Sequence, residues 1–280
     1  MKKHVSSLAA AIFICALPLV ANSSLAADCS SACTAAGSAT LQAQSHEQRF
    51  RQQVAAYASS ATDVTVAIPQ GFSVTSMVFI SGNPHGAKLT ITSASPENPA
   101  TLKRGFGGAG NPFPLINVGP GADVHLKDIV IHGNKEEYRT SGQLIIALGR
   151  LTLHDGAVIR DNMNVGVSVL GGVLTMDGGE ISHNAAEGGT GGGVGVLNGD
   201  FTMNGGKITG NSALAGGGVY VGGGRHFTMS GGEISDNTAV GGGGVYVLSG
   251  SKFSRGEKAV IRNNFATDGG RKISDVYFDE

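Results

Sequence analysis

Apolar residues in the second half of the chain recur in short blocks at constant distances. Three blocks alternate: Leu/Phe-Thr-Met, Ile-x-x-Asn and Val-x-Val. The Ile-x-x-Asn block occurs in register at Ile131/Asn134, Ile159/Asn162, Ile181/Asn184, Ile208/Asn211, Ile234/Asn237 and Ile261/Asn264. Alternation of apolar and polar positions over a few residues is typical of half-buried strands. The pattern therefore predicts a repeat unit of three short strands.

The repeat length decides between β architectures. The first block starts at positions 151, 174, 201, 227 and 253, so one unit has about 26 residues. Three short strands cannot enclose a core, whereas stacked copies can. A propeller blade would need about 40–45 residues and four strands. We predict an all-β, right-handed parallel β-helix, a single-stranded solenoid of roughly eight turns.

The segment before the first strand has a helical period. Leu41, Phe50, Val54 and Tyr57 can share one face, with Gln and Arg between them. The first turn of a solenoid leaves backbone groups unpaired and needs a cover. We therefore predict an amphipathic helix over Leu41–Tyr57 that caps the N-terminal end.

The first 27 residues have the pattern of a secretory signal peptide. Lys2 and Lys3 precede an apolar stretch, and small residues end the segment at Ala27. This predicts a signal peptide (1–27), a Cys-containing segment with the capping helix (28–60) and the β-helix domain (61–280). We expect a secreted or cell-surface protein of a bacterium, with the periplasm as an alternative, and no transmembrane segment after cleavage.

Two cysteines, Cys29 and Cys33, remain after cleavage of the predicted signal peptide. In an oxidising compartment they are expected to form a local disulfide, and the alternative is a redox or metal pair. A metal site needs more ligands than these two residues supply. We therefore predict neither a metal site nor a cofactor.

Composition excludes some classes of function. The chain has 20 Lys+Arg against 21 Asp+Glu, whereas a nucleic-acid-binding domain would show a basic surface. A hydrophobic content of 41% argues against intrinsic disorder. Glycine provides 45 of 280 residues, well above the usual share of about 7%, which agrees with many tight turns.

Two columns of residues follow from the repeat alignment. Stacked asparagines can hydrogen-bond from turn to turn, and Asn tolerates the left-handed turn conformation, so we expect the asparagines at 134, 162, 184, 211, 237 and 264 to form a structural ladder.

Tyr220, Tyr246 and Tyr277 lie between inward residues and are expected to face solvent. They could bind a ligand by stacking on sugar rings or anchoring a protein; the alternative is cross-strand packing.

No catalytic constellation is visible. Asp155 and Asp177 align on successive turns, but calcium takes six to eight oxygen ligands, and Asp is an ordinary turn residue. Sugar hydrolysis needs two facing carboxylates, and a lyase needs a positioned base. No catalytic residues are assigned, and the chain is expected to be non-enzymatic.

The segment 234–246, Ile-Ser-Asp-Asn-Thr-Ala-Val-Gly-Gly-Gly-Gly-Val-Tyr, resembles the repeat of chlamydial-type polymorphic outer-membrane proteins. That repeat combines Phe-x-x-Asn with Gly-Gly-Ala-Ile, where this chain has Ile and Gly-Val. Residues 208–220 match similarly and 181–196 more loosely, while 53–71 is similar to the start of pectate-lyase-type β-helices. The resemblance implies an autotransporter-like passenger domain with adhesion as its activity.

These observations predict a secreted or surface-exposed, non-enzymatic β-helix that interacts with a surface glycan or a host or partner protein. The alternatives are a pectate-lyase-like lyase or hydrolase and a purely structural assembly unit. Asp275 and Asp279 flank the last strand, and charges there oppose end-to-end pairing, so a monomer is expected.

Overall fold

The computed structural model describes residues 46–107, 112–139, 142–267 and 272–279. The predicted signal peptide, the Cys29/Cys33 pair and Leu41 lie outside these residues. Within the described part the fold is a parallel β-solenoid of about eight turns and about 27 residues per turn, which confirms the predicted fold class.

Four sheets run along the solenoid, and successive turns contribute neighbouring strands to each sheet. Sheet A contains β1 (Val64–Ile68), β4 (Leu89–Ser93), β7 (Asp123–Lys127), β10 (Arg150–Leu153), β13 (Val173–Met176), β17 (Asp200–Met203), β21 (His226–Met229) and β25 (Lys252–Arg255). Sheet B contains β2 (Phe72–Val74), β5 (Thr101–Arg104), β8 (Val130–His132), β11 (Val158–Arg160), β14 (Glu180–Ser182), β18 (Lys207–Thr209), β22 (Glu233–Ser235) and β26 (Val260–Arg262).

Sheets C and D complete each turn. Sheet C contains β3 (Val78–Ile80), β6 (Ile116–Val118), β9 (Ile145–Ala147), β12 (Val167–Val169), β16 (Val194–Val196), β20 (Val219–Val221), β24 (Val245–Val247) and β29 (Val276–Phe278). Sheet D contains β15 (Ala185–Thr190), β19 (Ser212–Ala215), β23 (Thr238–Gly241), β27 (Phe265–Ala266) and β28 (Lys272–Ile273). Pairing is parallel except between β27 and β28.

The core consists of like residues stacked on like. Phe201 pairs with Phe227 in register, and their rings are 4.5 Å apart and only 3° from parallel. Ile208 and Ile234 are fully buried on the neighbouring sheet. Burying such a side chain contributes about 1.5–3 kcal/mol, so every added turn stabilises the one before it.

The later turns contain a fourth strand that the sequence analysis missed. Three strands per unit were predicted, but sheet D inserts another between sheets B and C. The reason is length: Val167 follows Asn162 closely, whereas Val194 follows Asn184 after a longer segment. Within that segment Ala186 pairs with Ala213 and is buried, so it closes the wider turn.

Helix α1 (46–57) packs against the first turn. Its apolar face buries Phe50, Val54 and Tyr57, and the Phe50 ring meets Phe72 edge-on at 5.7 Å. The backbone N–H of Thr75 donates to Glu47 Oε1 at 3.0 Å, which ties the helix to the same turn. The helix therefore lies against the strands that come first in their sheets among the described residues.

Candidate functional site: a row of stacked tyrosines

Three tyrosines occupy one outward column of sheet C. Tyr220 on β20 pairs with Tyr246 on β24, which pairs with Tyr277 on β29. The neighbours on either side of Tyr220, Val219 and Val221, are fully buried. Because side chains alternate across a strand, Tyr220 points away from the core. In the last turn the expectation of two inward neighbours fails for Tyr277, since Phe278 is 58% exposed and only Val276 packs against the core.

The rings stack on one another along the solenoid axis. The centroids of Tyr220 and Tyr246 are 5.6 Å apart with planes 18° from parallel. The centroids of Tyr246 and Tyr277 are 5.0 Å apart with planes 26° from parallel. Both faces of Tyr246 are therefore covered by its neighbours. The row presents ring edges and hydroxyl groups to solvent, and Tyr277 is 44% exposed.

Two glycines define where the row begins. Gly195 holds the position before Tyr220 in the same column, so the column has no ring at that position. A Cβ at Gly222 would lie 2.7 Å from a ring carbon of Tyr220, which means that the ring lies across the backbone there. Glycine at this position is thus needed for the ring orientation.

An acidic residue lies beside the tyrosine hydroxyls. Burial, followed by the charge of Asp279, raises the pKa of both Tyr220 and Tyr246, and Asp279 also hydrogen-bonds to Tyr246. The hydroxyl groups therefore stay protonated at neutral pH and can donate hydrogen bonds.

Exposed apolar side chains also occur on sheet D, on the strands that precede Tyr220 and Tyr246 in the same turns. Leu214 is 49% exposed and Val240 is 42% exposed. Val240 directly precedes Gly241, which lies against the Tyr246 ring. We call Tyr220, Tyr246, Tyr277, Leu214 and Val240 the tyrosine surface. Exposed aromatic rows and exposed large apolar side chains are typical of interaction sites on soluble proteins.

The asparagine column forms a buried chain of amide hydrogen bonds. Asn184 Nδ2 donates to Asn211 Oδ1, and the same bond links the next two pairs, each at 3.0 Å. The chain ends where Asn264 donates to Asp275 Oδ1. Asn134 is not part of it, since its amide donates to Arg104 O and Glu137 Oε2. These contacts are structural and leave no group for a ligand.

The left-handed conformation expected of the ladder asparagines belongs to other residues. Among the six, only Asn134 has it, with φ of 57°. In the other turns the residue before the ladder asparagine has positive φ: Asp161, His183, Gly210, Asp236 and Asn263. That residue turns the chain, and the asparagine after it then directs its amide inward.

A polar cluster between sheets B and C was not predicted. Asp161 Oδ2 lies 3.3 Å from His132 Nε2, and Asp161 Oδ1 lies 3.3 Å from Lys135 Nζ. Lys103, His132 and Arg160 pair in register on three successive turns. The alignment of Ile131 with Ile159 already contained this column, but the Asp161–Lys135 contact depends on loop geometry.

The groups of this cluster are engaged with one another. His132 Nδ1 accepts the backbone N–H of Asn134 at 2.9 Å, while Nε2 faces Asp161. Neither nitrogen is free to act as a base. Elsewhere, Asp177 accepts a hydrogen bond from Asn204, and the described residues contain no group of three or more His, Cys, Asp or Glu arranged for a metal.

Comparisons with family models, curated proteins and solved structures found no match. The likeness to polymorphic outer-membrane repeats and to pectate-lyase-type β-helices therefore remains a sequence-based expectation, and the parallel β-solenoid is what is shown. In the described part of the chain no helix is long and apolar enough to span a membrane.

Proposed function

We propose that this chain is a secreted or surface-exposed, non-enzymatic binding protein whose solenoid presents the tyrosine surface to a partner protein. The stacked tyrosine row carries this proposal. Tyrosine is enriched among the residues that dominate binding energy at protein interfaces. The row is held in fixed register by three parallel strands, so little side-chain entropy is lost on binding.

The ring geometry favours a protein over a glycan as the partner. Stacking of sugars along the row would require a free face on each ring, whereas both faces of Tyr246 are covered by Tyr220 and Tyr277, and each end ring has one face covered by Tyr246. The row offers ring edges and hydroxyl groups, and the exposed Leu214 and Val240 side chains lie on the preceding strands of the same turns. These suit the mixed apolar and hydrogen-bonded contacts of a protein interface.

The proposed location rests on sequence features. The signal-peptide pattern of residues 1–27 supports export, and the repeat resemblance supports adhesion at a cell surface. The alternative, cleavage of a polysaccharide by a pectate-lyase-like mechanism, would need a free base beside an acid. The polar cluster of the described residues offers His132 and Asp161 only in mutual contact, which gives this alternative less support.

A parallel binding screen tests the proposal. The full chain is probed against purified extracellular and cell-surface proteins and against a glycan array. We expect saturable binding to a protein, and at least a tenfold loss when Tyr220, Tyr246 and Tyr277 are all replaced by Ser. Phe79→Ser is the matched control, because Phe79 occupies the same outward column at the other end and is 52% exposed. Glycan binding alone, or protein binding unchanged in the triple variant, would contradict the proposal.

A further inference from the structure

Two histidines on the outer face of sheet A lie in direct contact. His125 is on β7, and His154 directly follows β10. His125 Nδ1 and His154 Nε2 are 2.8 Å apart. The ring planes differ by 10° and the centroids are 5.1 Å apart, so with such close nitrogens the rings meet edge to edge rather than face to face. The two nitrogen atoms therefore point at each other across neighbouring strands.

An acidic side chain selects the tautomer of His125. The other ring nitrogen, Nε2, is buried and lies 3.2 Å from Asp123 Oδ1, without a well-aligned hydrogen bond. A carboxylate at this distance favours a proton on Nε2. The lone pair of His125 then lies on Nδ1 and faces His154, whose Nε2 supplies the proton of the shared hydrogen bond.

This arrangement is that of a metal-binding imidazole and its supporting carboxylate. A histidine that binds a metal usually donates its other ring N–H to a carboxylate or carbonyl, which fixes the ring and raises its basicity. We propose that His125 and His154 together bind a divalent transition-metal ion, such as Zn²⁺ or Ni²⁺, and that Asp123 positions His125 for it. The other coordination positions are left to water or to a group of a partner molecule.

The required movement has two parts: the two nitrogens separate, and each ring turns so that its lone pair points at the ion instead of at the other nitrogen. Two Zn–N bonds of about 2.0–2.1 Å at a tetrahedral angle place the nitrogens about 3.3 Å apart. The facing nitrogens must therefore separate by about half an ångström from their present 2.8 Å. The ion takes the place of the proton on His154 Nε2, and His154 stays neutral because it then carries its proton on Nδ1.

The residues around the histidine pair leave it accessible to a metal ion but lower its affinity for one. The side chain of His125 is 16% exposed and that of Asp123 is 26% exposed, so the pair lies near the outer face. Arg150 pairs with Asp123 in register, and the charge of Lys88 also reaches His125. These cations oppose a bound metal ion, while Asp123 favours it. Calcium and magnesium prefer oxygen ligands and are not expected to bind here.

Calorimetric titration of the full chain with ZnCl₂ and NiCl₂ tests the site, after alkylation with iodoacetamide to block cysteine thiols. We expect one saturable site that is lost in both His125→Gln and His154→Gln, with unchanged circular dichroism. Asp123→Asn should weaken it by about 10–100-fold. His226→Gln is the control, because His226 is an exposed histidine on the same sheet. CaCl₂ should give no such site.

Two results would overturn the assignment. One is the absence of saturable zinc or nickel binding in the unaltered chain. The other is binding that persists in His125→Gln and His154→Gln, which would place the metal on other residues. If either histidine variant fails to fold, the imidazole resonances of His125 and His154 in the unaltered protein provide the readout: both must shift on addition of Zn²⁺, and constant resonances would overturn the site.

Discussion

The two halves of the solenoid have the same backbone fold but differ in how similar the residues at equivalent positions of successive turns are. In the later turns the same residue recurs at each position, as in Phe201 and Phe227 or Asn211 and Asn237. In the earlier turns corresponding positions hold different residues: His125 pairs with Thr152. The comparison indicates that stacking of identical residues on successive turns can stabilise a turn. Turns whose residues differ need individual side-chain hydrogen bonds instead.

Arg104 shows what such a contact looks like. Its side chain is fully buried, and its guanidinium donates to the carbonyl oxygens of Phe113 and Gln143. The Phe106 ring lies 5.2 Å from it, and no carboxylate among the described residues forms an ion pair with it. Burial lowers its pKa to about 10. Arg104 thus replaces, in the irregular half, the inter-turn bonds that the asparagine ladder makes later.

The Arg104→Met substitution is expected to have the largest effect on stability, and it tests whether the early turns depend on this side chain. The substitution keeps an apolar stem but removes the guanidinium that donates to the carbonyl oxygens of Phe113 and Gln143, and a hydrogen bond to a charged group contributes about 1.5–3 kcal/mol. We expect the free energy of unfolding to fall by about 2–5 kcal/mol in urea denaturation. The exposed Arg139→Met should change it by less than about 0.5 kcal/mol. Equal effects of the two would show that the early turns do not depend on this contact.

The ladder provides the next largest effect. Asn211→Ala removes one amide and leaves Ile181 O and the backbone N–H of Asn184 without their partners. We expect a loss of about 1–3 kcal/mol, measured as a lower denaturation midpoint. Asn204→Ala, an exposed asparagine of the same turn, is the control and should cost little. An unchanged denaturation midpoint in Asn211→Ala would show that the ladder does not stabilise the fold.

A smaller effect is expected from pH in the irregular half. Burial, with the charges of Arg160 and Lys103, lowers the pKa of His132, although Asp161 and Glu136 oppose the shift. The folded state favours the neutral imidazole of His132. The stability that this residue contributes is therefore fully present above the ordinary pKa of about 6.5, and it is lost as the pH falls through the lowered folded-state pKa. The melting temperature of the unaltered chain should therefore fall more steeply below pH 6.5 than that of His132→Gln. Parallel curves would contradict this.

The features of the structure that repeat from turn to turn could be predicted from the sequence. The Ile-x-x-Asn block predicted the solenoid, and the Val-Tyr-Val strand placed Tyr220 and Tyr246 in one column. The fourth strand was also encoded, since an alanine follows Asn184, Asn211, Asn237 and Asn264 at the second position. It was missed because an Asn-x-Ala spacing alone does not distinguish a strand from a turn.

Features that occur once could not be predicted in this way. The contact of His125 with His154 runs diagonally between neighbouring strands, and the contact of Asp161 with Lys135 joins two loops. Such contacts depend on rotamers and loop paths, which no periodic pattern specifies. The covered faces of the tyrosine rings also required coordinates, and they shift the favoured partner from a glycan to a protein.

The central claim, that the tyrosine surface binds a protein, is tested most directly by site-specific photo-crosslinking. Benzoylphenylalanine is placed at Leu214, an exposed position on the strand before the one that carries Tyr220, or at Phe79. Each chain is irradiated with the protein partner found in the binding screen. The account predicts an adduct from position 214 that disappears when the three tyrosines are replaced by Ser, and none from position 79. An adduct only from position 79, or one from 214 that survives the triple substitution, would contradict it.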